Sequence, residues 1–180
     1  MLPLRRDRRS ISVQCETSEL ATDQRKRYYL AMPVEVVRRY AGRKISNRRL
    51  KLVASAVLKL TDRQESELSL ALIGNAEMQK LNAKYRHKDY PTDVLSFAAA
   101  NNLPISARLL GDVIISVDKA AEQARERRRT LDQEIVTLLI HGIVHLLGYD
   151  HERSPKHARI MGRIEKKIAR RLCEQGLIKV

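Results

Sequence analysis

Residues 135–147 read IVTLLIHGIVHLL, a stretch that as a helix would be apolar on nearly every side, interrupted only by Thr137, His141, Gly142 and His145. A helix with no polar face is stable only where other elements cover it. The stretch falls short of the roughly 20 residues that span a bilayer, and its histidines break it further, so no transmembrane helix is expected and the cover has to be protein. With 180 residues the chain is long enough to build that cover without disulfides or metal staples.

The rest of the sequence supplies the covering layers. Ile11, Val13 and Cys15 alternate with polar neighbours, as do Leu68, Leu70 and Leu72, while VLSFA at 94–98 and DVIISV at 112–117 are rich in β-branched or aromatic residues. All four segments predict strands. Leu50, Val53, Ala54, Val57 and Leu58 recur at helical spacing after Asn47, a cap candidate; Asn75 is expected to cap a helix with Met78, Leu81 and Tyr85 on one face. Ser116 opens a helix through Ala120, Ala121 and Ala124, Thr130 opens the apolar helix, and Ser154 with Pro155 opens a last one, ended by Gly176, that buries Met161, Ile164, Ile168 and Leu172. Residues 21–46 are basic, mix their periodicities and contain Pro33, so they are left without an element and are taken as an insertion. The expected fold is α+β: a single domain over residues 1–180, with a small mixed sheet of about four strands covered by helices. Residues 1–46 form its basic N-terminal region and 47–176 its core.

Three of the chain's five histidines fall in HGIVHLLGYDH, residues 141–151. His141 and His145 are four apart and share a helix face; Gly148 stands where left-handed backbone ends a helix, letting the chain turn back and bring His151 beside them. Three imidazoles on one tetrahedral ion leave one coordination position open, the pattern of a catalytic zinc at the end of a buried helix. Nickel and copper suit the same donors. The spacing HxxxHxxGxxH is that of metzincin proteases, whose glutamate base after the first histidine is here Gly142. Gly142 reads two ways, as room for a substrate or as tight helix packing. Asp150 and Asp112 each read as an acceptor for an imidazole N–H or as a turn residue, and Tyr149 as a base-stacking or a packing residue.

HGIVHLLGYDH, with YRHKDYPTDVLSF at 85–97 and LGDVIIS at 110–116, resembles the YbeY family of bacterial rRNA maturation factors over roughly residues 47–172. The resemblance implies a zinc-dependent, single-strand-specific endoribonuclease acting in 16S rRNA 3′-end processing and ribosome quality control. It assigns His141, His145 and His151 to one zinc ion per chain and a functional role to Arg86, whose guanidinium fork suits a phosphate in the transition state. Departures from the family pattern are the stretch 21–46, Ala98 in place of a proline, and ERSPKHAR in place of an acidic run after Asp150 and His151. Two competing readings are a non-catalytic RNA-binding ribosome-assembly factor with a structural zinc and a metzincin-like zinc peptidase, the latter opposed by Gly142.

Charge points the same way. Thirty-five Lys and Arg against 21 Asp and Glu leave +14, which draws polyanions, and thirteen of the cations lie in the first fifty residues. Single-stranded ribosomal RNA is the expected partner, with the ribosome or small-subunit assembly factors alongside it and no membrane. RERRR at 125–129 reads as a solvated face, and His87 and His157 as surface residues. Cys15 and Cys173 have no thiol or histidine at ligand spacing, and the N-terminal residues lack the apolar block of a secretory signal, so a reducing cytoplasmic location is expected.

Overall fold

The alternation of Leu68, Leu70 and Leu72 with Ser69 and Ala71 produces β2 (Glu67–Ile73), a central strand with both faces covered. A computed structural model describes residues 34–40, 42, 45–99 and 109–179, and the expected strand at 11–15 lies outside them. Around β2 stand β1 (Val34–Arg39), β3 (Val94–Ala98) and β4 (Leu109–Ser116), in the order β1-β2-β4-β3. β1 and β4 run parallel to β2, and β3 pairs antiparallel with β4 at the edge.

β1 corrects the sequence reading, because it comes from the stretch left without an element. VEVVRR pairs residue by residue with β2, from Val34 opposite Leu68 to Arg39 opposite Ile73. Its alternation was obscured because this is an edge strand whose second half, Arg38 and Arg39, is exposed. β4 begins three residues earlier than expected, where Gly111 adopts φ +144°; a Cβ there would lie 2.2 Å from the Phe97 carbonyl oxygen.

Five helices, α1 (Asn47–Leu60), α2 (Asn75–Arg86), α3 (Val117–Glu126), α4 (Leu131–Leu146) and α5 (Pro155–Glu174), complete the described α+β domain. On one face of the sheet, Leu68, Leu70, Leu72, Val113 and Ile115 join the apolar sides of α1, α4 and α5 in the main core. On the other, Ile73 and Leu95 pack with Met78 of α2 in a smaller cluster. α4 is the helix that needed cover: Ile135, Leu139 and Ile143 are 0% exposed, and burying each such side chain contributes roughly 1.5–3 kcal/mol.

Most helix starts follow their caps. Thr130 and Gln133 form a capping box, and Ser116 and Ser154 accept the expected N–H groups. Two starts differ by one residue: Ser46 rather than Asn47 caps α1, and the α2 cap position is Gly74, with Asn75 already helical. There the free N–H of Asn75 donates to Asp118 Oδ2 across the fold at 2.7 Å, a contact between elements that no local pattern announces.

Candidate metal centre

The end of α4 is a built turn. Gly148, at φ +91°, donates its N–H to the His145 carbonyl at 2.9 Å, and Tyr149 N–H reaches the Val144 carbonyl at 3.3 Å. Together they close the paired bonds of a Schellman motif, as the glycine's position predicts. Asp150 Oδ1 then accepts the Glu152 N–H at 2.9 Å, folding the chain back so that His151 faces the helix it has just left. That backbone N–H, with the neighbouring imidazoles and Arg153 adding to it, keeps the Asp150 carboxyl below its ordinary pKa.

Three imidazoles meet there. Ring centroids are 4.6 Å apart for His141 and His145, and 5.1 Å from each of them to His151. One nitrogen from each ring can be chosen so that all lie within 4.8 Å of one another. His141 Nδ1–H donates to Glu165 Oε1 of α5 at 2.7 Å, which turns the lone pair of Nε2 toward His145 Nε2, 3.1 Å away. Two ligands at Zn–N distances of about 2.05 Å would stand roughly 3.3 Å apart in a tetrahedral set, so the His141–His145 pair is spaced for such an ion. Burial first, and then the charge of His141 and His151, lowers the His145 pKa below 6.5 and favours the neutral ring that a metal requires.

The cluster opens into a cleft of about 470 Å³ that also reaches Arg86, Ser96, Phe97 and Tyr149. Arg86, the last residue of α2, therefore shares a cavity with the histidines although 55 residues separate it from His141 in sequence. Its Nη2 donates to both Glu152 oxygens, each at 2.8 Å, and holds the Glu152 carboxyl below its ordinary pKa.

Gly142 has a packing explanation. A Cβ there would lie 2.6 Å from Val113 Cγ1, and Ser96 Oγ–H donates to the Gly142 carbonyl at 3.1 Å, so α4 sits directly on β3 and β4. Any larger residue, glutamate included, would force Val113 or the helix backbone to shift.

The sequence did not single out Glu165. Its signal was available: Glu165 follows Met161 by four residues and so flanks the buried stripe of α5, an unusual place for a carboxylate without a partner. Asp150 and the exposed Asp112, the two acceptors considered for an imidazole, make no hydrogen bond to a ring among the described residues. His87 and His157 are exposed and outside the cluster. In RERRR, Arg127 turns inward to the fully buried Glu134, so that run is not wholly a solvated face.

A family model described as Endoribonuclease YbeY matches residues 36–173. The chain belongs to the YbeY endoribonuclease family. YbeY is thus a family of phosphodiester hydrolases, and the match begins within β1, at residue 36. A protein named Endoribonuclease YbeY from Anaeromyxobacter sp. is 47% identical over 131 residues, 73% of this chain and 66% of that protein. The YbeY of Sulfurihydrogenibium sp. is 42% identical over 74% of this chain and 88% of its own length. That of Geobacter metallireducens is 39% identical over 82% of this chain and 100% of its own length. A solution structure of a Thermotoga maritima protein superposes with a TM-score of 0.51 at 26% identity, covering 75% of this chain and 85% of that one. Among the described residues no helix is long and apolar enough to cross a membrane.

Proposed function

We propose that this chain is a metal-dependent endoribonuclease that cuts single-stranded RNA, with His141, His145 and His151 holding one zinc ion and Arg86 meeting the phosphate under attack. The observation that carries this reading is the convergence of three imidazoles within 4.8 Å in a cleft that also contains an arginine. When bound, zinc supplies a Lewis acid and lowers the pKa of a coordinated water to about 7, which removes the need for a carboxylate base.

The protein's own groups account for the rest. Glu165 keeps the proton of His141 on Nδ1 and leaves Nε2 free to ligate. The lowered pKa of His145 keeps that ring neutral at working pH. Arg86 carries a guanidinium whose fork matches non-bridging phosphate oxygens, and Glu152 occupies it until substrate arrives. Gly142 leaves no room for a protease's glutamate. The net charge of +14 supports ribosomal RNA as the substrate, and we extend the reading to 16S rRNA 3′-end maturation and ribosome quality control in the cytoplasm, alongside small-subunit factors.

The test compares wild type, His145→Ala and Arg86→Ala for bound metal and for cleavage of single-stranded and duplex RNA. His145→Ala is expected to lose metal and cleavage together. Arg86→Ala is expected to keep its metal and lose about 100-fold in kcat, the usual cost of removing one charge-stabilising donor. A metal-free His145→Ala that cuts at the wild-type rate overturns the reading.

A further inference from the structure

Tyr149 is the turn residue that separates two cavities. One is the histidine cleft; the other is a groove of about 490 Å³ between the C-terminal end of α1 and α5. Tyr149 lines both and is 40% exposed. The groove has an apolar floor of Leu60, Leu147 and Ile164, and its charged lining residues are Arg63, Lys167 and Arg171, all basic. Arg171 donates to Glu174 at 3.1 Å on the exposed side of α5, while Arg63 and Lys167 are exposed and form no side-chain hydrogen bond or ion pair among the described residues.

We propose that this groove is a second RNA subsite, which takes two or three nucleotides of single-stranded RNA after the strand has crossed Tyr149 from the histidine cleft. The proposal rests on the endoribonuclease reading of that cleft. Three features select the ligand. An exposed phenol at the junction offers a stacking surface to a base of any identity, worth roughly 1–3 kcal/mol per base. Apolar side chains below it accept the faces of bases, which duplex RNA keeps stacked inside the helix and only a single strand can present. Cations at the rim, two of them without a side-chain partner among the described residues, meet the backbone phosphates of the same strand. Continuity with the cleft through one shared residue makes the groove an extension of the substrate path. A peptide segment with the same apolar contacts would find no acidic residue in the lining to pair with its own cations.

The experiment measures binding of metal-loaded protein to oligoribonucleotides of about four and about ten nucleotides, made uncleavable by phosphorothioate or 2′-O-methyl linkages, by fluorescence anisotropy across a salt series. The double variant Arg63→Gln/Lys167→Gln is compared with wild type and with Lys80→Gln/Lys156→Gln, which removes two exposed cations that line neither cavity. Expected for Arg63→Gln/Lys167→Gln is a loss of about tenfold in affinity for the longer strand, under twofold for the shorter, and a fall of about 1.4 in the salt slope on the longer strand, from about 0.7 per phosphate contact. Tyr149→Leu is expected to show the same length dependence without the change in salt slope. Equal losses on both lengths, or a loss matched by Lys80→Gln/Lys156→Gln, would mean a diffuse field and overturn the subsite. Unchanged RNA affinity in Arg63→Gln/Lys167→Gln also overturns it and leaves the groove to a protein partner. The two readings fail separately: metal-dependent cleavage with no length effect removes only the subsite, whereas wild type that neither binds nor cuts RNA removes both.

Discussion

Arg127 pairs with Glu134, whose side chain is 0% exposed in the first turn of α4; Arg86 pairs with Glu152, whose side chain is 55% exposed beside the end of the same helix. The residue types are identical and the energetics are opposite. Glu134 has given up water, and among the described residues its Oε2 has no hydrogen-bond partner, so Arg127 is what compensates a buried charge. Glu152 keeps its hydration, and its pair is worth little because water can solvate either side and a phosphate can take the carboxylate's place on Arg86. The helix is thus fixed at its N-terminal end and left exchangeable at the end that carries the histidines, which is how a rigid scaffold can present a site open to a ligand.

The largest effect should come from breaking the buried pair. Arg127→Ala leaves the Glu134 carboxylate unpaired in the core and is expected to cost about 3 kcal/mol, read as a lower urea midpoint with an unchanged m-value. A cost near zero would mean that Glu134 finds water, and the contrast between the two ends of α4 would collapse.

Asp93 is an intermediate case, half-buried and served by neutral donors: Gln123 Nε2–H at 2.8 Å, the Val94 N–H at 2.9 Å and Thr92 Oγ1–H at 3.1 Å. Burial pushes its carboxyl up, but these hydrogen bonds together outweigh it and leave the pKa below 3.8. Since the folded value is below the unfolded one, the stabilisation is present above about pH 4 and lost as pH falls through the folded pKa. Asp93→Asn should cost on the order of 1 kcal/mol at pH 7 and show a flatter acid limb in thermal melts below about pH 5. An acid limb identical to wild type would show that other carboxylates carry it.

Glu152→Gln should change stability least, by under about 1 kcal/mol, because the pair it breaks is exposed. Removing that negative charge from the cleft mouth should raise affinity for single-stranded RNA, most at low salt. A destabilisation as large as that of Arg127→Ala would make the two pairs equivalent after all.

Much of the fold was legible because its signals are local. The five helices follow from apolar spacing and caps, and the Schellman turn at Gly148 follows from one glycine at the end of a periodic run. β1 was missed because its pairing with β2, not its own pattern, makes it a strand. In the site, the spacing of His141, His145 and His151 was readable for the same local reason, whereas Glu165 reaches His141 from another helix and Asp118 meets the N-terminus of α2 from a third.

By itself, then, the sequence determined a buried helix with two histidines on one face, a turn that returns a third, and a basic chain, all set by the 3.6-residue period, one left-handed residue and composition. Only the tertiary structure decided that Arg86 shares their cleft, that Gly142 is a packing residue against Val113, and that Tyr149 stands between the histidine cleft and a basic groove. Those relations join elements far apart in the chain. Their geometry exists only once the sheet and its covering helices have packed, since no run of neighbouring residues encodes the distance between two surfaces.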